Sequence, residues 1–255
     1  MILTALKPKS AVLIQARSNS SRLRGKIYAG LPQADDSAQL LHIYRRMEKV
    51  GADVVSVVVP ENDVLLIDWC HQHELEFFLG SELDVRDRYR QAAAYYKADW
   101  IVRATGDNPC VDAAIARESL ELIQKENLAL FAYSNLPLGM AVEVISCQAL
   151  VATAPAEDLG CLEHVSLHIK RNPDLFHYVH RSHPLLYAYT DLVAPRMTVD
   201  TAEDLHVVRQ VFQRLGPDFG VGEVMDLARR EPEIFHFNQH IVQRSTQDRR
   251  IQDTR

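Results

Sequence analysis

The sequence predicts an α/β protein with a mostly parallel central sheet that carries helices on both faces. Apolar, β-branched runs alternate with segments of helical periodicity over the first 150 residues, and this alternation is typical of a parallel sheet with crossover helices. The run VVSVVVP at 54–60 is apolar almost throughout, as expected of a strand that is covered on both faces. Right-handed crossovers bring the loops that follow parallel strands to one edge of the sheet, where ligands usually bind.

The predicted elements follow one another at short intervals. In the first helix, Leu40, Tyr44 and Met47 recur at helical spacing. The predicted helices of this region cover residues 40–47, 64–73, 85–96 and 113–125. The predicted strands lie at 12–15, 54–60, 76–80, 129–135 and 141–146, with one more that ends in a turn within 99–109.

The alternation loosens after residue 155. A helix is predicted at 162–170, and the stretches DLFHYVH and PLLYAYT, separated by RSHP, predict a hairpin. The segment PRMTVD then predicts a further strand before a turn and a helix. We therefore expect a single domain over residues 1–242, with a small hairpin-bearing insertion at 155–195 and a polar tail at 243–255.

Composition and charge exclude several classes of protein. The formal net charge is −6, whereas a nucleic-acid-binding domain normally shows a basic face, so we expect no nucleic-acid partner. The four cysteines form no CxxC pair, which disfavours a zinc site or a disulfide framework and fits a reducing compartment. No apolar run is long enough to cross a bilayer, and the first residues make a poor signal peptide. These features predict a cytoplasmic protein without a membrane partner.

A basic loop follows the first strand. The stretch IQARSNSSRLRGK at 14–26 contains one glycine, Gly25, and no acidic residue. Its cations and hydroxyls are Arg17, Arg22, Arg24, Lys26, Ser18, Ser20 and Ser21. Such a loop can direct N–H groups and positive charge at an anion, but it matches neither GxxxxGK[ST] nor GxGxxG. From composition alone, a phosphate-binding loop and a solvated charged turn are equally good interpretations.

Two acidic residues lie at predicted strand ends. Asp107, in RATGDNP, is placed where an acid often binds a nucleotide-bound Mg²⁺. Taken alone, Asp107 is better interpreted as a cap of the helix that begins near Asp112. Asp200, in TVDTAEDL, is not needed for the predicted cap, in which Thr201 pairs with Asp204. It is therefore free to be a second metal ligand.

Two histidines offer a further metal candidate. His164 and His168 share a helical face in EHVSLHIK, and this spacing can bind a metal. No HExxH pattern accompanies them, so contacts in a protein core or an interface are the better interpretation.

Taken in order, the motifs are similar to those of one enzyme family. IQARSNSSRLRGK resembles IQARMGSTRLPGK, the signature of the cytidylyltransferases related to spore-coat polysaccharide biosynthesis protein F. It resembles the 3-deoxy-manno-octulosonate and acylneuraminate cytidylyltransferases more distantly. Later blocks match that family in the same order: GSELDVRDRYRQAA, VRATGDNPCVD, GMAVEVIS, LEHVSLHIKRNPDLF and PRMTVDTAEDL. The similarity spans residues 11 to about 215, and six ordered motifs are far more specific than any one of them.

The resemblance implies a nucleotidyltransferase fold of the glycosyltransferase-A type. It implies transfer of CMP from CTP to a sugar acid or related small-molecule acceptor, with release of pyrophosphate, in surface polysaccharide or glycoconjugate synthesis. The residues that the family pattern assigns to the nucleotide are Arg17, Ser20, Arg22, Lys26, Ser81, Arg103 and Gly106, with Lys26 and Arg17 as catalytic groups. Asp107 and Asp200 would bind Mg²⁺, and Glu143 falls where the family has an acid near the acceptor. A homodimer formed through 155–195 is also implied.

Two positions depart from the family signature. Asn19 replaces its glycine and Arg24 its proline; asparagine tolerates a left-handed backbone better than most residues, whereas arginine lacks the fixed φ of proline. Because of these departures, a catalytically degenerate nucleotide-binding protein is one alternative function. A glycosyltransferase that uses a nucleotide sugar is the other alternative, although it predicts a DxD metal motif where this sequence has the isolated Asp107.

Overall fold

A single sheet forms the centre of the described part of the protein. The computed structural model describes residues 9–20, 22–154 and 159–243, so Ser21, residues 155–158 of the expected insertion and residues 244–255 of the expected tail lie outside it. The seven strands of these described ranges are β1 (Ser10–Gln15), β2 (Val54–Pro60), β3 (Phe77–Gly80), β4 (Trp100–Thr105), β5 (Leu130–Tyr133), β6 (Glu143–Ser146) and β7 (Tyr178–Arg181). They are hydrogen-bonded in the order β3-β2-β1-β4-β6-β5-β7.

Most neighbouring strands of this sheet are parallel. β1 pairs in parallel with β2 and β4, β2 with β3, and β5 with β7. β6 runs antiparallel to both β4 and β5. The mostly parallel sheet that the sequence predicts is therefore confirmed, and the strand predicted at 141–146 is the one that reverses.

Helices cover both faces of the sheet. Those in the described residues are α1 (Gln39–Glu48), α2 (Val64–Gln72), α3 (Val85–Tyr96), α4 (Ala113–Glu126), α5 (Cys147–Val151), α6 (Leu159–Glu163), α7 (Leu167–Lys170), α8 (Ala202–Leu215), α9 (Val221–Arg230) and α10 (Pro232–His236), with 3₁₀ helices at Lys26–Tyr28 and Pro184–Tyr189. α1 and α4 pack on one face, and α3 and α5 pack on the other. Within the same described ranges, no helix combines the length and the apolar character that crossing a membrane requires.

Alternation along β1 directs its side chains into two cores. Val12 and Ile14 are fully buried in the core that includes α1, α4 and α8. Ala11 and Leu13 are fully buried in the core that includes α3 and α5. Because both faces of the central strands are covered, these strands have continuous apolar sequences rather than the alternation of a half-exposed sheet.

Acidic side chains determine where several helices begin. Asp63, Asp84 and Asp112 accept backbone N–H bonds at the starts of α2, α3 and α4. Asp112 also accepts from the N–H of Val221 at 2.8 Å, so one carboxylate caps both α4 and α9. The interpretation of Asp107 as the cap of the helix near residue 112 is therefore wrong.

The region after residue 155 differs from the prediction. The predicted hairpin is wrong, because β7 pairs in parallel with β5 and the stretch PLLYAYT forms the 3₁₀ helix Pro184–Tyr189. Pro184 has no backbone N–H for a strand ladder and occupies the first turn of this helix. The ring nitrogen Nδ1 of His183 accepts from the N–H of Leu185 at 3.2 Å, which caps the helix start. The helix predicted at 162–170 is divided into α6 and α7.

The segment PRMTVD is not a strand. Arg196 forms an isolated β-bridge with Leu138, and the N–H of Met197 donates to the Leu138 carbonyl at 2.7 Å. The N–H of Val199 donates to the carbonyl of Asp107 at 2.7 Å. Since two loops satisfy these backbone groups, the segment is held against the end of β4 without joining the sheet ladder.

The strand order places a cleft beside β1. From β1 the chain moves outward to β2 and β3, and it returns to β4 on the opposite side of β1. In open α/β sheets, ligands bind outside the carboxyl ends of the strands at such a reversal of order. The loop after β1 and the turn after β4 border this cleft.

Candidate active site

The turn after β4 lies directly against the loop after β1. The N–H of Gly106 donates to the carbonyl of Gln15 at 2.7 Å. A Cβ at Gly106 would lie 3.2 Å from both the Gln15 carbonyl oxygen and the Ala16 Cβ, which is tighter than ordinary van der Waals contact. The close approach of the two segments therefore favours a glycine at this position.

The basic loop at 16–25 is closed by hydrogen bonds to Asp63. The backbone N–H and the hydroxyl of Ser18 donate to the two carboxylate oxygens of Asp63 at 2.7 and 2.6 Å. Asp63 also accepts from the N–H of Leu66 at 3.2 Å, so it joins the loop to the start of α2. Within the loop, the N–H of Gly25 donates to the Ser18 carbonyl at 3.3 Å, and Gly25 has the left-handed φ of 67°. The loop is thus fixed at both ends.

Lys26 joins three parts of the chain at the carboxyl edge of the sheet. Its ammonium donates to the carbonyl of Val199 at 2.6 Å, to Asp200 Oδ1 at 3.0 Å and to Asp107 Oδ2 at 3.4 Å. Only 10% of the Lys26 side chain is exposed. The structure therefore brings together Lys26, Asp107 and Asp200, which the sequence predicts to act at one site.

Asp200 is surrounded by cations. Its Oδ1 also accepts from Arg22 Nη2 at 2.6 Å, and its Oδ2 accepts from Arg196 Nη2 at 2.9 Å. The side chain is 2% exposed. Burial alone would raise the pKa of Asp200, but Lys26, Arg22 and Arg196 outweigh it and hold the pKa below its ordinary value. Asp200 is therefore a buried carboxylate that stays ionised.

Asp107 is more open than Asp200. Its side chain is 32% exposed. Its Oδ1 accepts from the hydroxyl of Thr105 at 2.6 Å, and Asn108 Nδ2 donates to the same hydroxyl oxygen at 2.9 Å. These contacts fix Oδ1 of the carboxylate just after the end of β4. The other oxygen, Oδ2, is directed towards Lys26.

Two carboxylates around one cation fit a divalent metal that arrives with a nucleotide. Asp107 and Asp200 each place an oxygen within 3.4 Å of the Lys26 ammonium, so they already share one positive charge. Among the residues that the structure describes, no group of three acidic, histidine or cysteine side chains is arranged to bind a metal. Mg²⁺ commonly binds one or two carboxylates and completes its coordination with phosphate oxygens and water. The donor set therefore fits a Mg²⁺–nucleotide complex.

A second polar cluster lies beside the end of β4. Glu143 on β6 accepts from Arg103 Nη1 at 3.2 Å and from the hydroxyl of Ser166 at 2.9 Å. The ammonium of Lys170 donates to its other carboxylate oxygen. These four side chains line a cavity of about 280 Å³. Arg103 Nη2 also donates to the side chain of Gln15 at 3.4 Å, which connects the cavity to the end of β1.

The charge state of this cluster is fixed near neutral pH. Burial alone would raise the pKa of Glu143, but Arg103 and Lys170 outweigh it and, with the bond from Ser166, lower the pKa to about 2. Burial would lower the pKa of Arg103, yet the Glu143 carboxylate raises it. Because Glu143 stays ionised, it is poorly suited to proton transfer near neutral pH, and it acts instead as a counter-ion for two cations.

The other predicted nucleotide-binding residues lie at the same edge but outside the Lys26 cluster. Arg17 is exposed directly after β1, and Ser20 is buried in the loop. Ser81 follows β3, where its hydroxyl accepts from the N–H of Asp84 at 3.0 Å. Two strand spacings separate β3 from β1, roughly 10 Å. Their roles in binding the nucleotide stay predictions.

The two unusual loop positions, Asn19 and Arg24, are both exposed. The left-handed conformation of the described loop residues falls on Gly25, not on Asn19. The left-handed turn of the described loop therefore does not depend on Asn19.

Sequence reasoning missed four residues that build the site. Asp63 anchors the basic loop, Arg196 pairs with Asp200, and Ser166 and Lys170 complete the cluster at Glu143. An N-cap pattern at the start of α2 marks Asp63 as a cap but gives no sign of its contact with Ser18. Ser166 and Lys170 have no local signal, because Glu143 lies 23 and 27 positions away from them in the sequence. Arg196 lies four positions before Asp200, and this spacing is the signal that could have found it.

Within the described residues, the histidine pair belongs to no group of three or more side chains arranged to bind a metal. His164 lies between α6 and α7, whereas His168 is in α7. His168 is fully buried, and its Nε2 lies 2.9 Å from the carbonyl of Ala149. The interpretation of His168 as a core residue is confirmed.

Comparison with known proteins agrees with this geometry. The profile of a family described as cytidylyltransferase matches residues 11–223. Spore coat polysaccharide biosynthesis protein SpsF of Bacillus subtilis is 30% identical over 237 residues, which cover 87% of this chain and 94% of that protein.

Two solved structures show the same fold. A cytidylyltransferase from Leptospira borgpetersenii superposes with a TM-score of 0.80 at 24% identity, over 93% of this chain and 100% of that chain. A CMP:2-keto-3-deoxy-manno-octonic acid synthetase complexed with CTP superposes with a TM-score of 0.58 at 16% identity, over 81% of this chain and 99% of that chain. The predicted nucleotidyltransferase fold is confirmed, and the profile match over most of its length establishes that this chain belongs to the cytidylyltransferase family.

Proposed function

We propose that the protein transfers CMP from CTP to a hydroxyl group of a sugar acid or related small molecule and releases pyrophosphate. The observation that carries this proposal is the position of Lys26 between Asp107 and Asp200, at the carboxyl edge beside β1. A cation flanked by two carboxylates suits the binding of a metal-complexed triphosphate, since the carboxylates bind the metal and the cation binds phosphate.

The basic side chains of the loop neutralise the triphosphate. Lys26 and Arg22 contact Asp200 in the free protein, and both can turn to phosphate oxygens when a nucleotide enters. Arg17 is exposed at the mouth of the loop and adds a third cation. In the transfer step, Lys26 and Arg17 stabilise the charge that develops on the α-phosphoryl oxygens and on the departing pyrophosphate.

Asp107 and Asp200 are the residues that would bind Mg²⁺. When bound, this ion neutralises phosphate oxygens and lowers the pKa of a coordinated hydroxyl. Thr105 keeps Asp107 oriented, and Arg196 does the same for Asp200. Lys26 is held within reach of both carboxylates, so the cationic groups converge where the triphosphate must lie.

The acceptor would occupy the cavity beside β4. Its polar lining carries two cations, Arg103 and Lys170, against one carboxylate, Glu143, which leaves an excess of one positive charge. This excess favours an acceptor with an anionic group. Glu143 fixes the two cations and takes no proton from the acceptor. The hydroxyl of the acceptor is the nucleophile, so no nucleophilic side chain is required.

The names of similar proteins support a role in glycoconjugate chemistry. One is a spore coat polysaccharide biosynthesis protein, and another is a synthetase of CMP:2-keto-3-deoxy-manno-octonic acid. We propose that this chain acts in the cytoplasm, where CTP is available, and supplies an activated sugar for surface polysaccharide or glycoconjugate synthesis.

A homodimer formed through residues 155–195 is part of the proposal. Among the described residues of this region, Leu175, Tyr187 and Val193 are exposed by 60, 66 and 94%, and contact with a second copy would remove this apolar surface from water. Light scattering on the purified protein tests this point. A monomer at micromolar concentration would contradict it.

The activity can be tested directly. The purified protein is incubated with CTP, Mg²⁺ and a panel of sugar acids, and pyrophosphate release is measured. We expect release with at least one acid, and none when Asp107 is replaced by Ala. Failure to bind CTP in a calorimetric titration would refute the proposal, and CTP binding without turnover on the whole panel would favour a catalytically degenerate protein.

A further inference from the structure

Asp200 does not lie on a strand of the sheet, so no ladder hydrogen bonds fix its position. Within the described residues, the segment that contains it is not a strand, and its one β-type pairing is the isolated bridge from Arg196 to Leu138. Elsewhere at this edge, ladder hydrogen bonds fix the strand ends that carry site residues. Another set of contacts must therefore fix the carboxylate of Asp200.

Arg196 supplies those contacts. Its Nη2 donates to Asp200 Oδ2 at 2.9 Å, and its Nε donates to Asp204 Oδ1 at 2.9 Å. Arg196 is only 8% exposed, and Asp204 is fully buried. A planar guanidinium with two carboxylates on its edge holds them in a defined relative orientation.

Asp204 ties this pair to the backbone. Its Oδ2 accepts from the N–H of Asp200 at 3.0 Å and from the N–H of Thr201 at 3.2 Å. The hydroxyl of Thr201 accepts from the N–H of Asp204 at 3.2 Å, and this reciprocal pair is the predicted capping box of α8. The box therefore fixes Asp200 as well as the start of the helix.

Two residues near the end of the described chain, Asn238 and Gln243, form hydrogen bonds with Arg196. Asn238, which is fully buried, donates from Nδ2 to the carbonyl of Arg196 at 3.1 Å and to Asp204 Oδ1 at 2.8 Å. Arg196 Nη1 donates to the side chain of Gln243 at 2.6 Å. Residues about forty positions after Asp200 thus reach its carboxylate through one arginine.

We propose that Arg196 is a positioning residue for the nucleotide-bound metal, and that Asn238 and Gln243 belong to the same support. Arg196 occupies Asp200 Oδ2, which leaves Oδ1 directed at Lys26 and Arg22. Oδ1 is therefore the oxygen that exchanges these cations for the metal of a metal–CTP complex. The inference rests on the proposed function, because it requires Asp200 to bind that metal.

The experiment measures Mn²⁺ binding in the presence of CTP, by electron paramagnetic resonance, together with thermal unfolding without ligands. The variants are Arg196→Met, Arg196→Lys and Gln243→Ala, and the control is Gln124→Ala on the exposed side of α4. A lysine retains the charge but cannot hold Asp200 and Asp204 in one fork.

The expected results form a graded series. Arg196→Lys weakens Mn²⁺ binding roughly tenfold, and Gln243→Ala, which removes only the outer bond, weakens it roughly threefold. Arg196→Met weakens it more than the lysine variant does. The control leaves Mn²⁺ affinity and the unfolding temperature unchanged. If Arg196→Met does not fold, Arg196→Lys and Gln243→Ala still test the inference.

Two outcomes would overturn the inference. A purely structural role would lower the unfolding temperature of Arg196→Lys while its Mn²⁺ affinity equals that of the wild type. If the Mn²⁺ affinity of Gln243→Ala equals that of the wild type, the C-terminal residues do not help to position Asp200. If the wild-type protein itself binds no Mn²⁺ with CTP, the proposed function fails instead, so the two failures are distinguishable.

Discussion

The ammonium of Lys26 lies 3.0 Å from the carboxylate of Asp200, although 174 positions separate the two residues in the sequence. The same ammonium lies 3.4 Å from Asp107. In the free protein, Lys26 therefore takes the place beside these carboxylates that a metal ion would need. We therefore expect nucleotide and metal binding to be coupled, because a bound triphosphate would draw Lys26 away from the carboxylates while a metal ion would take over their charge.

Replacing Arg22 by Ala should strengthen metal binding in the absence of CTP. Arg22 contacts Asp200 Oδ1 at 2.6 Å, so its removal leaves Lys26 as the remaining loop cation on that oxygen. We expect Mn²⁺ affinity without nucleotide to rise and CTP affinity to fall, each roughly tenfold. Electron paramagnetic resonance measures the first quantity and calorimetry the second.

Arg24→Ala is the matched control for this prediction. Arg24 lies in the same loop, carries the same charge and is exposed. It should leave Mn²⁺ affinity without CTP unchanged. A decrease in Mn²⁺ affinity in Arg22→Ala would contradict the exchange of cations at Asp200.

Closure of the basic loop can be separated from capping of α2. Ser18→Ala removes one hydrogen bond to Asp63, whereas Asp63→Ala removes both loop bonds and the cap on Leu66. Both variants should weaken CTP binding, because an open loop must be ordered when the nucleotide binds. Only Asp63→Ala should also lose the stability of the cap, about 1 kcal/mol. Calorimetric titration with CTP and urea unfolding measure the two effects, and unchanged CTP affinity in Ser18→Ala would show that loop closure is irrelevant to binding.

The alternation of strands and helices could be predicted because its signal is local. β2 has the predicted bounds, and α1, α2, α3 and α4 begin and end within a residue or two of theirs. The structure around β7 could not be predicted from alternation, which wrongly indicated a hairpin, since the proline at 184 and the pairing of β7 with β5 decide the structure there. Side-chain alternation identifies a candidate strand but not its partner.

The candidate site was predictable only as a set of motifs. The basic loop and the predicted strand ends make Lys26, Asp107 and Asp200 candidates, the resemblance to a family signature assigns them to one site, and the structure brings them together. The sequence does not predict Asp63 and Lys170 as site residues, because their contacts join residues 45 and 27 positions apart. No local pattern encodes such contacts, which depend on how the loops converge at one edge of the sheet.

Replacing Lys170 by Met should impair the acceptor step without affecting CTP. Lys170 pairs with Glu143 and lines the cavity beside β4. We expect the KM for an acidic acceptor to rise at least tenfold, since a charge-assisted contact is lost, while CTP affinity stays the same. Steady-state kinetics on the best acceptor of the panel measures the change.

The control for Lys170→Met is Lys125→Met, which removes an exposed lysine of α4. Its KM for the acceptor should equal that of the wild type. A lower CTP affinity in Lys170→Met, with an unchanged KM for the acceptor, would place the nucleotide rather than the acceptor in this cavity.

The ion pair at Glu143 should make stability fall in acid. The pKa of Glu143 in the folded protein is about 2, against an ordinary value of 4.5. Because the folded-state pKa is the lower one, the unfolded chain binds the proton first, and stability decreases as the pH falls from about 5 towards 2. The full effect is roughly 3 kcal/mol. Urea unfolding at about pH 5, 4 and 3 measures the part of this decrease that falls within that range.

Glu143→Gln removes the titrating group, so its unfolding free energy should fall less steeply between those pH values than that of the wild type. Glu121→Gln is the matched control, because Glu121 is an exposed residue of α4 and its replacement should preserve the wild-type slope. Since the neutral amide that replaces the Glu143 carboxylate cannot balance the charges of Arg103 and Lys170, we also expect the variant to be less stable at pH 7. Equal slopes in the wild type and Glu143→Gln would mean that the carboxylate of Glu143 is not held ionised by its two cations.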